Sequence, residues 1–157
     1  KYTGYGGDIV CDATKTTTGI GKYSPPRDVG TKQIIDSKLS KSGESPGGIN
    51  ILNDTRNTQR WSDQKIWDEI NEPWLRDAIN RGDNIRAVSD PMNVENVFKA
   101  TDNIPSSVLL SPEKLANYLK NLNDPNIIKD LSFYGREIRY LYQNNYLFDL
   151  TSKTFAR

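Results

Sequence analysis

The apolar residues of this chain follow a helical period in three separate segments. The first segment lies between Ser62, a suitable N-cap, and Gly82, a suitable C-terminal stop. Its apolar face consists of Ile66, Ile70, Trp74 and Ala78 at four-residue spacing. Pro73 interrupts this face, since proline lacks the backbone N–H and disfavours helical geometry in the residue before it. The pattern therefore predicts either a kinked helix or a second helix that restarts at Pro73.

Two more amphipathic helices are predicted in the second half of the chain. Ser111 and Pro112 make a capped start, and Asp124-Pro125 makes an end, for a helix whose apolar face is Leu115, Leu119 and Leu122. The third helix is predicted from Phe133 to Asn144. Its buried stripe consists of Tyr134, Ile138, Leu141 and Tyr142.

Short apolar runs predict the strands. Asn84 to Asp90 follows the first helix directly, and Tyr146 to Leu150 follows the third. Ile9 to Cys11 is another short strand, while Lys32 to Leu39 and Ile49 to Leu52 suit a hairpin with a long connection. The tail, residues 151–157, either pairs with the last strand or frays. Between Pro91 and Pro105 the apolar residues have no clean period, which suits an irregular strand or a single helical turn.

Together these elements predict one α+β domain spanning residues 1–157. We expect a small antiparallel or mixed sheet with about three helices packed on it. A length of 157 residues fits a single domain with a core of its own.

Composition removes several kinds of chemistry. The chain has no histidine, which excludes Ser-His-Asp and Cys-His sites and any imidazole acid or base. Its single cysteine, Cys11, cannot form an internal disulfide, and we expect it to be a small apolar filler. No apolar run approaches the roughly 20 residues of a membrane span. The 21 lysines and arginines nearly balance 20 acidic residues, so nucleic-acid binding would require a local basic patch.

One segment near the start has the composition of an anion-binding loop. Residues 12–23 gather threonines, two glycines, Lys15 and Lys22. Glycine allows backbone N–H groups to approach a phosphate, while lysine supplies charge. The alternative is a solvated surface loop, and the spacing of a P-loop is absent.

Three stretches resemble a known group of bacterial toxins. They are WLRDAINRGDNIRAVSDP from Trp74 to Pro91, then FYGREIRYL, and finally NNYLFDL. Together they resemble the C-terminal toxin domains of contact-dependent growth inhibition effectors and filamentous-haemagglutinin-like polymorphic toxins. This resemblance implies a compact sheet-and-helix fold of the toxin ribonuclease kind. It also implies a toxin excised from the C-terminus of a much larger secreted effector, acting in the cytoplasm of a target bacterium and neutralised by a cognate immunity protein.

The candidate chemistry is RNA cleavage without histidine or a metal cofactor. Arg86 and Arg136 are assigned to hold the scissile phosphate, while Glu137 or Asp83 moves protons. The first two lie on different predicted elements, the strand after Gly82 and the third helix, and Glu137 borders the core on the helical wheel. Contacts to the RNA backbone are assigned to Lys15, Lys22, Arg81 and Arg139. The substrate we expect is tRNA, with a host translation factor as a possible presenter.

Other interpretations remain open from the sequence. Asp83, Asp90 and Glu137 are the ligands that a Mg²⁺-dependent nuclease would use, although no Glu-x-Lys element accompanies them. An NAD-consuming enzyme would assemble an aromatic pocket around Glu137, but the G-x-G-x-x-G fingerprint is absent. A non-catalytic module would use the aromatic residues and the Arg81-Gly82-Asp83 turn to bind a partner protein. Arg81 and Asp83 also suit a plain helix end, and Arg136 and Arg139 plain solvated cations.

Overall fold

The computed structural model describes residues 14–22, 47–52, 54 and 56–157 of the chain. Within them the α+β prediction is confirmed, because helices pack on one mixed, five-stranded sheet. The strands are β1 (Thr17–Ile20), β2 (Ile49–Ile51), β3 (Asn84–Ala87), β4 (Leu147–Asp149) and β5 (Thr154–Ala156). The helices are α1 (Asp63–Ile66), a π-helical segment (Trp67–Asn71), α2 (Glu72–Arg81), α3 (Val94–Val97), α4 (Ser106–Leu109), α5 (Pro112–Asn121), α6 (Pro125–Ile128) and α7 (Phe133–Gln143).

The described strands run in the order β2-β1-β3-β5-β4. The first three are parallel, with β1 between β2 and β3, and the last two are antiparallel to their neighbours. The chain therefore passes from β1 to one side of it, and then crosses to the other side. In open parallel sheets this reversal leaves a crevice at the carboxyl ends of the strands.

The first predicted helix is one continuous helical stretch with an irregular middle. Ser62 caps it as predicted, since its Oγ accepts the N–H of Lys65 at 3.1 Å. It neither stops nor restarts at Pro73, which is the second residue of α2. Instead the wider π turn precedes the proline, and the N–H of Glu72 bonds to the carbonyl of Trp67, five residues back. Gly82 ends the stretch in the left-handed conformation, at φ 76°.

The helices cover the face of the sheet that carries Ile85 and Phe155. These two residues are paired across β3 and β5, and Tyr142 of α7 packs edge-on against Phe155 with ring centroids 5.9 Å apart. Leu115, Leu119 and Leu122 are buried as predicted, and so are all four residues of the α7 stripe. Among the described residues, the core is thus one cluster between this sheet face and the helices.

Several sequence predictions are refined by the structure. The helix starting at Pro112 and the one starting at Phe133 are confirmed, as is pairing of the tail, because β5 joins β3 to β4. The uncertain stretch after Pro91 contains α3 and a bridge from Phe98 to Leu131. The helix predicted to end at Asp124-Pro125 ends at Asn121 instead, with Leu122 as its C-cap, and Asp124-Pro125 begins α6. Among the described residues, no helix has the length and apolar character needed to cross a bilayer.

One prediction is wrong, and two lie outside the described residues. The supposed anion-binding loop contains β1, a fully buried strand that begins with two threonines and pairs with β2 on one side and β3 on the other. Threonine favours strands because its branched side chain packs on a pleated surface, and the composition of the segment concealed this. The strand at Ile9–Cys11, with Cys11 itself, and the segment Lys32–Leu39 lie outside the described residues.

Candidate functional site

Glu137 is the most unusual titratable residue of the described chain. It lies in the first half of α7, and only 5% of the residue is exposed. Burial raises the pKa of its carboxyl from 4.5 to about 8, because the charged form loses its hydration. The Asn71 side-chain amide, which favours the ionised form, offsets only part of this shift. Glu137 is therefore a neutral carboxylic acid at pH 7, and a titrating group slightly above it.

Glu137 lines a cavity of about 500 Å³, here called the strand-end cavity. The cavity lies where the three parallel strands end, next to Ile20, Ile51 and Val88. Aromatic and aliphatic side chains from the helices form much of the rest of the wall: Ile66, Ile70, Trp74, Phe133 and Tyr134. Its position matches the crevice that the strand order creates, and its volume is typical of small-molecule sites.

Cations surround this apolar interior. Lys22, Arg56 and Lys99 line the strand-end cavity, against the single carboxylate of Asp54 and the neutral Glu137. Each cation is held by a partner: Lys22 Nζ donates to the Glu95 carbonyl at 2.8 Å, Lys99 pairs with Asp63 at 2.5 Å, and Arg56 pairs with Asp54 at 2.7 Å. The lining thus carries a positive charge excess, although the whole chain is almost neutral. An anion with an apolar or aromatic portion would fit this combination.

The π-helical segment determines where Asn71 lies. Its extra residue in the turn rotates the helix, so that Trp67, Ile70 and Asn71 are all buried. Trp67 packs edge-on against Tyr140 of α7, with ring centroids 5.8 Å apart. This contact brings the π segment against α7, and Asn71 against Glu137. Isolated π turns in helices are frequently found at functional sites.

Tyr134 and Ser89 join the strand ends at the cavity. The phenol of Tyr134, which is buried, donates to the Ser89 carbonyl at 2.5 Å. The Ser89 hydroxyl accepts the backbone N–H of Lys22 at 2.9 Å. These two bonds therefore connect the ends of β1 and β3 to each other and to α7.

The four residues assigned to catalysis from the sequence do not share one cavity. Glu137 lines the strand-end cavity, Arg136 lines a neighbouring one, and neither Asp83 nor Arg86 lines either. Arg86 alternates with Ile85 and Ala87 on β3, so it lies on the sheet face opposite the helices, where it is buried and donates to the Ala87 carbonyl. Asp83 is buried and accepts hydrogen bonds from Thr18 Oγ1 at 2.8 Å and Arg81 Nη2 at 2.7 Å. These bonds join the end of α2 to β1, which is a structural role.

The residues assigned to RNA binding are also separated. Lys22 lines the strand-end cavity, whereas Lys15 lies in the exposed turn before β1. Arg81 pairs with Asp83 as just described. Arg139 donates to the Leu122 carbonyl at 2.7 Å and to Asn123 at 3.2 Å, so it fastens α7 to the end of α5. Among these four, only Lys22 is placed near Glu137 by the cavity.

The carboxylates named for a Mg²⁺ site are not gathered. Within residues 14–22, 47–52, 54 and 56–157, no group of three His, Cys, Asp or Glu side chains has the arrangement that could hold a metal ion. Asp90 instead closes the turn after β3, where its side chain accepts the N–H of Met92 at 2.8 Å.

Sequence reasoning missed Asn71, Arg56 and Lys99. Asn71 follows Ile70 on the buried side of the first helix, and a polar residue there, two positions before Pro73, is a usable signal. Arg56 and Lys99 reach the cavity from loops far apart in sequence, so no local pattern marks them.

Comparison with protein-family models, with curated proteins and with solved structures gave no match. The toxin resemblance therefore stays a prediction.

Proposed function

We propose that this chain is a metal-independent ribonuclease toxin whose reaction centre is the strand-end cavity. The observation that carries the proposal is Glu137, a buried carboxyl with a pKa of about 8 on the wall of a cavity lined with cations. An acid with this pKa is matched to proton transfer near neutral pH. The chain achieves this without histidine, which it lacks.

The chemistry needs few groups. The ribose 2′-oxygen attacks phosphorus, the bond from phosphorus to the 5′-oxygen breaks, and a 2′,3′-cyclic phosphate forms. The neutral Glu137 gives its proton to the leaving 5′-oxygen, while the 2′-hydroxyl proton goes to water; solvent later returns a proton to Glu137. Lys22, Lys99 and Arg56 stabilise the extra negative charge on the phosphate.

The cavity also has room for a base. Trp74, Phe133 and Tyr134 provide aromatic surface, and stacking on such surface is worth roughly 1–3 kcal/mol per base. A volume of about 500 Å³ suits one nucleotide rather than a duplex. Substrates with a single-stranded loop, tRNA among them, can present such a nucleotide.

The test is cleavage of purified tRNA by the purified chain, resolved on a denaturing gel with and without EDTA. We expect discrete fragments in both conditions, ending in a cyclic phosphate. Glu137→Gln should abolish or strongly reduce cleavage, because an amide is isosteric but cannot donate a proton to the leaving group. Glu113→Gln, an exposed acid on α5, is the matched control and should cleave normally. Intact tRNA with a folded wild-type protein would contradict the proposal, as would full activity of Glu137→Gln.

A second candidate is an NAD-consuming toxin, favoured by the aromatic cavity with a single buried carboxyl. The same protein preparation is incubated with NAD⁺, and nicotinamide release is followed by chromatography. Release of nicotinamide with intact tRNA would replace the ribonuclease proposal with this one. Stoichiometric partner binding with tRNA, DNA and NAD⁺ all intact would favour a non-catalytic module.

The proposal includes a protein partner. A cognate immunity protein would block the cavity mouth by placing acidic side chains against Lys22 and Lys99, since complementary charge directs such complexes. The toxin would be delivered from a cell-surface effector into the cytoplasm of the target bacterium. Presentation of tRNA by a host translation factor would supply affinity that the nearly neutral chain lacks.

A further inference from the structure

A second cavity lies beside the first, and we call it the basic cavity. It has a volume of about 500 Å³ and is bordered by Ser62 and Gln64 at the start of α1, Ile128 and Lys129 at the end of α6, Arg136 of α7, and Lys99. Lys99 lines both cavities. Arg136 and Glu137 are consecutive residues of α7, so one helix contributes a side chain to each cavity.

Arg136 is a buried cation whose hydrogen bonding is incomplete. Only 4% of the residue is exposed, and burial lowers the pKa of its guanidinium, although Asp63 and Asp68 oppose the shift. Nη1 donates to Gln64 Oε1 at 3.0 Å, whereas Nε is buried and has no hydrogen-bond partner. Buried polar atoms are rarely left unsatisfied, and an unsatisfied one in a native fold calls for an explanation such as a ligand. A guanidinium binds phosphate with two parallel hydrogen bonds.

The surrounding charges point to an anionic ligand. Lys99, Lys129 and Arg136 line the basic cavity, against the one carboxylate of Asp63. Asp63 is paired with Lys99, but both side chains are about half exposed, at 41% and 50%. Such exposed pairs contribute little and exchange partners readily, so an incoming anion can compete for Lys99.

We propose that the basic cavity is a phosphate subsite, occupied by the phosphate next to the one held in the strand-end cavity. This inference rests on the proposed function for the identity of the substrate: the two adjoining sites select an oligonucleotide over a mononucleotide. Lys99 lies between the two phosphates, and Arg136 binds the second through its guanidinium. The ligand chemistry itself, a phosphate group, follows from the basic cavity alone.

The first arm of the test measures binding and needs no catalysis. Inorganic pyrophosphate is titrated into the protein at constant ionic strength while backbone amides are followed by NMR. We expect shifts at Gln64, Lys129 and Arg136, and a roughly tenfold weaker affinity in Lys129→Ala, since one charge-assisted contact is lost. Lys120→Ala removes an exposed lysine of α5 that lines neither cavity, and should match the wild type.

The second arm compares cleavage of a dinucleotide and a trinucleotide. Lys129→Ala should lower kcat/KM for the trinucleotide roughly tenfold and leave the dinucleotide value unchanged, because only the longer substrate reaches the basic cavity. Equal pyrophosphate affinity in Lys129→Ala and Lys120→Ala, or shifts located elsewhere, would overturn the subsite. Pyrophosphate binding at the basic cavity together with uncleaved RNA would keep the subsite and reject the ribonuclease.

Discussion

At the scale of single residues, Glu137 is a carboxyl that is costly to bury in its charged form, and it is the acid of the proposed reaction. A carboxyl surrounded by apolar side chains is stable there only when it is protonated, so the fold favours the neutral form. The adjacent Arg136 is buried too, but arginine does not lose its proton in proteins. Two neighbouring residues thus respond differently to burial: Glu137 keeps its proton and is neutral, whereas Arg136 stays charged beside Asp63 and Asp68.

The raised pKa of Glu137 makes stability depend on pH. Between about 4.5 and about 8 the folded state holds a proton that the unfolded state has released, so the free energy of unfolding decreases as the pH rises. This group alone contributes a slope of about 1.4 kcal/mol per pH unit in that window. Its stabilisation is complete below pH 4.5 and lost above about 8.

Urea unfolding at several pH values measures this slope. Glu137→Gln should show a shallower decrease, because the amide does not titrate. Glu113→Gln is exposed and should keep the wild-type slope. Identical slopes in all three proteins would show that Glu137 does not titrate in this range.

The same group predicts the pH dependence of catalysis. In the proposed reaction the protonated carboxyl donates to the leaving oxygen, so kcat/KM should fall above pH 8 as Glu137 ionises. Initial rates on tRNA between pH 6 and pH 9.5, with circular dichroism to confirm the fold, provide the profile. A rate that continues to rise through pH 9 would exclude Glu137 as the acid.

At the scale of elements, α7 packs so closely against α3 that there is no room for a side chain at Gly135. A Cβ on Gly135 would lie 2.1 Å from the carbonyl oxygen of Val97. That carbonyl also accepts hydrogen bonds from the N–H and the hydroxyl of Ser132, the N-cap of α7, so it cannot move freely. Gly135 therefore determines how α7 is seated, and with it the positions of Arg136 and Glu137.

Replacing Gly135 by alanine separates helix propensity from packing. Propensity alone favours alanine by about 1 kcal/mol in a helix, whereas the clash with Val97 should destabilise the fold by roughly 3 kcal/mol. Gly82→Ala is the comparison, since nothing lies within 4 Å of its Cβ and only its positive φ opposes the change, at roughly 1 kcal/mol. The midpoints of urea unfolding should follow the order wild type, Gly82→Ala, Gly135→Ala. A Gly135→Ala protein as stable as the wild type would refute this packing.

At the scale of the whole molecule, the C-terminal tail is part of the sheet. Strand β5 lies between β3 and β4, and its Phe155 is 2% exposed in contact with Tyr142 and Phe148. Strand β5 thus connects the parallel strands, whose ends form the strand-end cavity, to β4.

Removing the aromatic ring of Phe155 tests how much β5 contributes to stability. Phe155→Ala should lower the free energy of unfolding by roughly 3–5 kcal/mol, as is usual for a buried phenylalanine. Leu147→Ala changes a side chain of the same sheet that is 72% exposed, and should stay within about 0.5 kcal/mol of the wild type. Denaturant unfolding followed by tryptophan fluorescence checks both. A loss below about 1 kcal/mol for Phe155→Ala would show that β5 is dispensable.

The sequence alone determined the long elements of this protein, because their signals are local. Capping residues and apolar spacing gave the start of the first helical stretch at Ser62, the start of α5 at Pro112 and most of α7. The absence of histidine limited the chemistry, and the place of Glu137 beside Ile138 on the helical wheel marked it as bordering the core. Strand β1 was not predicted, because the glycines and lysines around its threonines gave the segment the composition of a loop.

Only the tertiary structure determined which residues line the strand-end cavity. A cavity is formed by residues that are distant along the chain: Lys22 after β1, Arg56 in the loop before α1, Lys99 after α3 and Glu137 on α7. Arg86 was separated from them by strand alternation, which places it on the opposite face of the sheet. The pKa of Glu137 likewise depends on desolvation by neighbours from several elements, a quantity that no local pattern encodes.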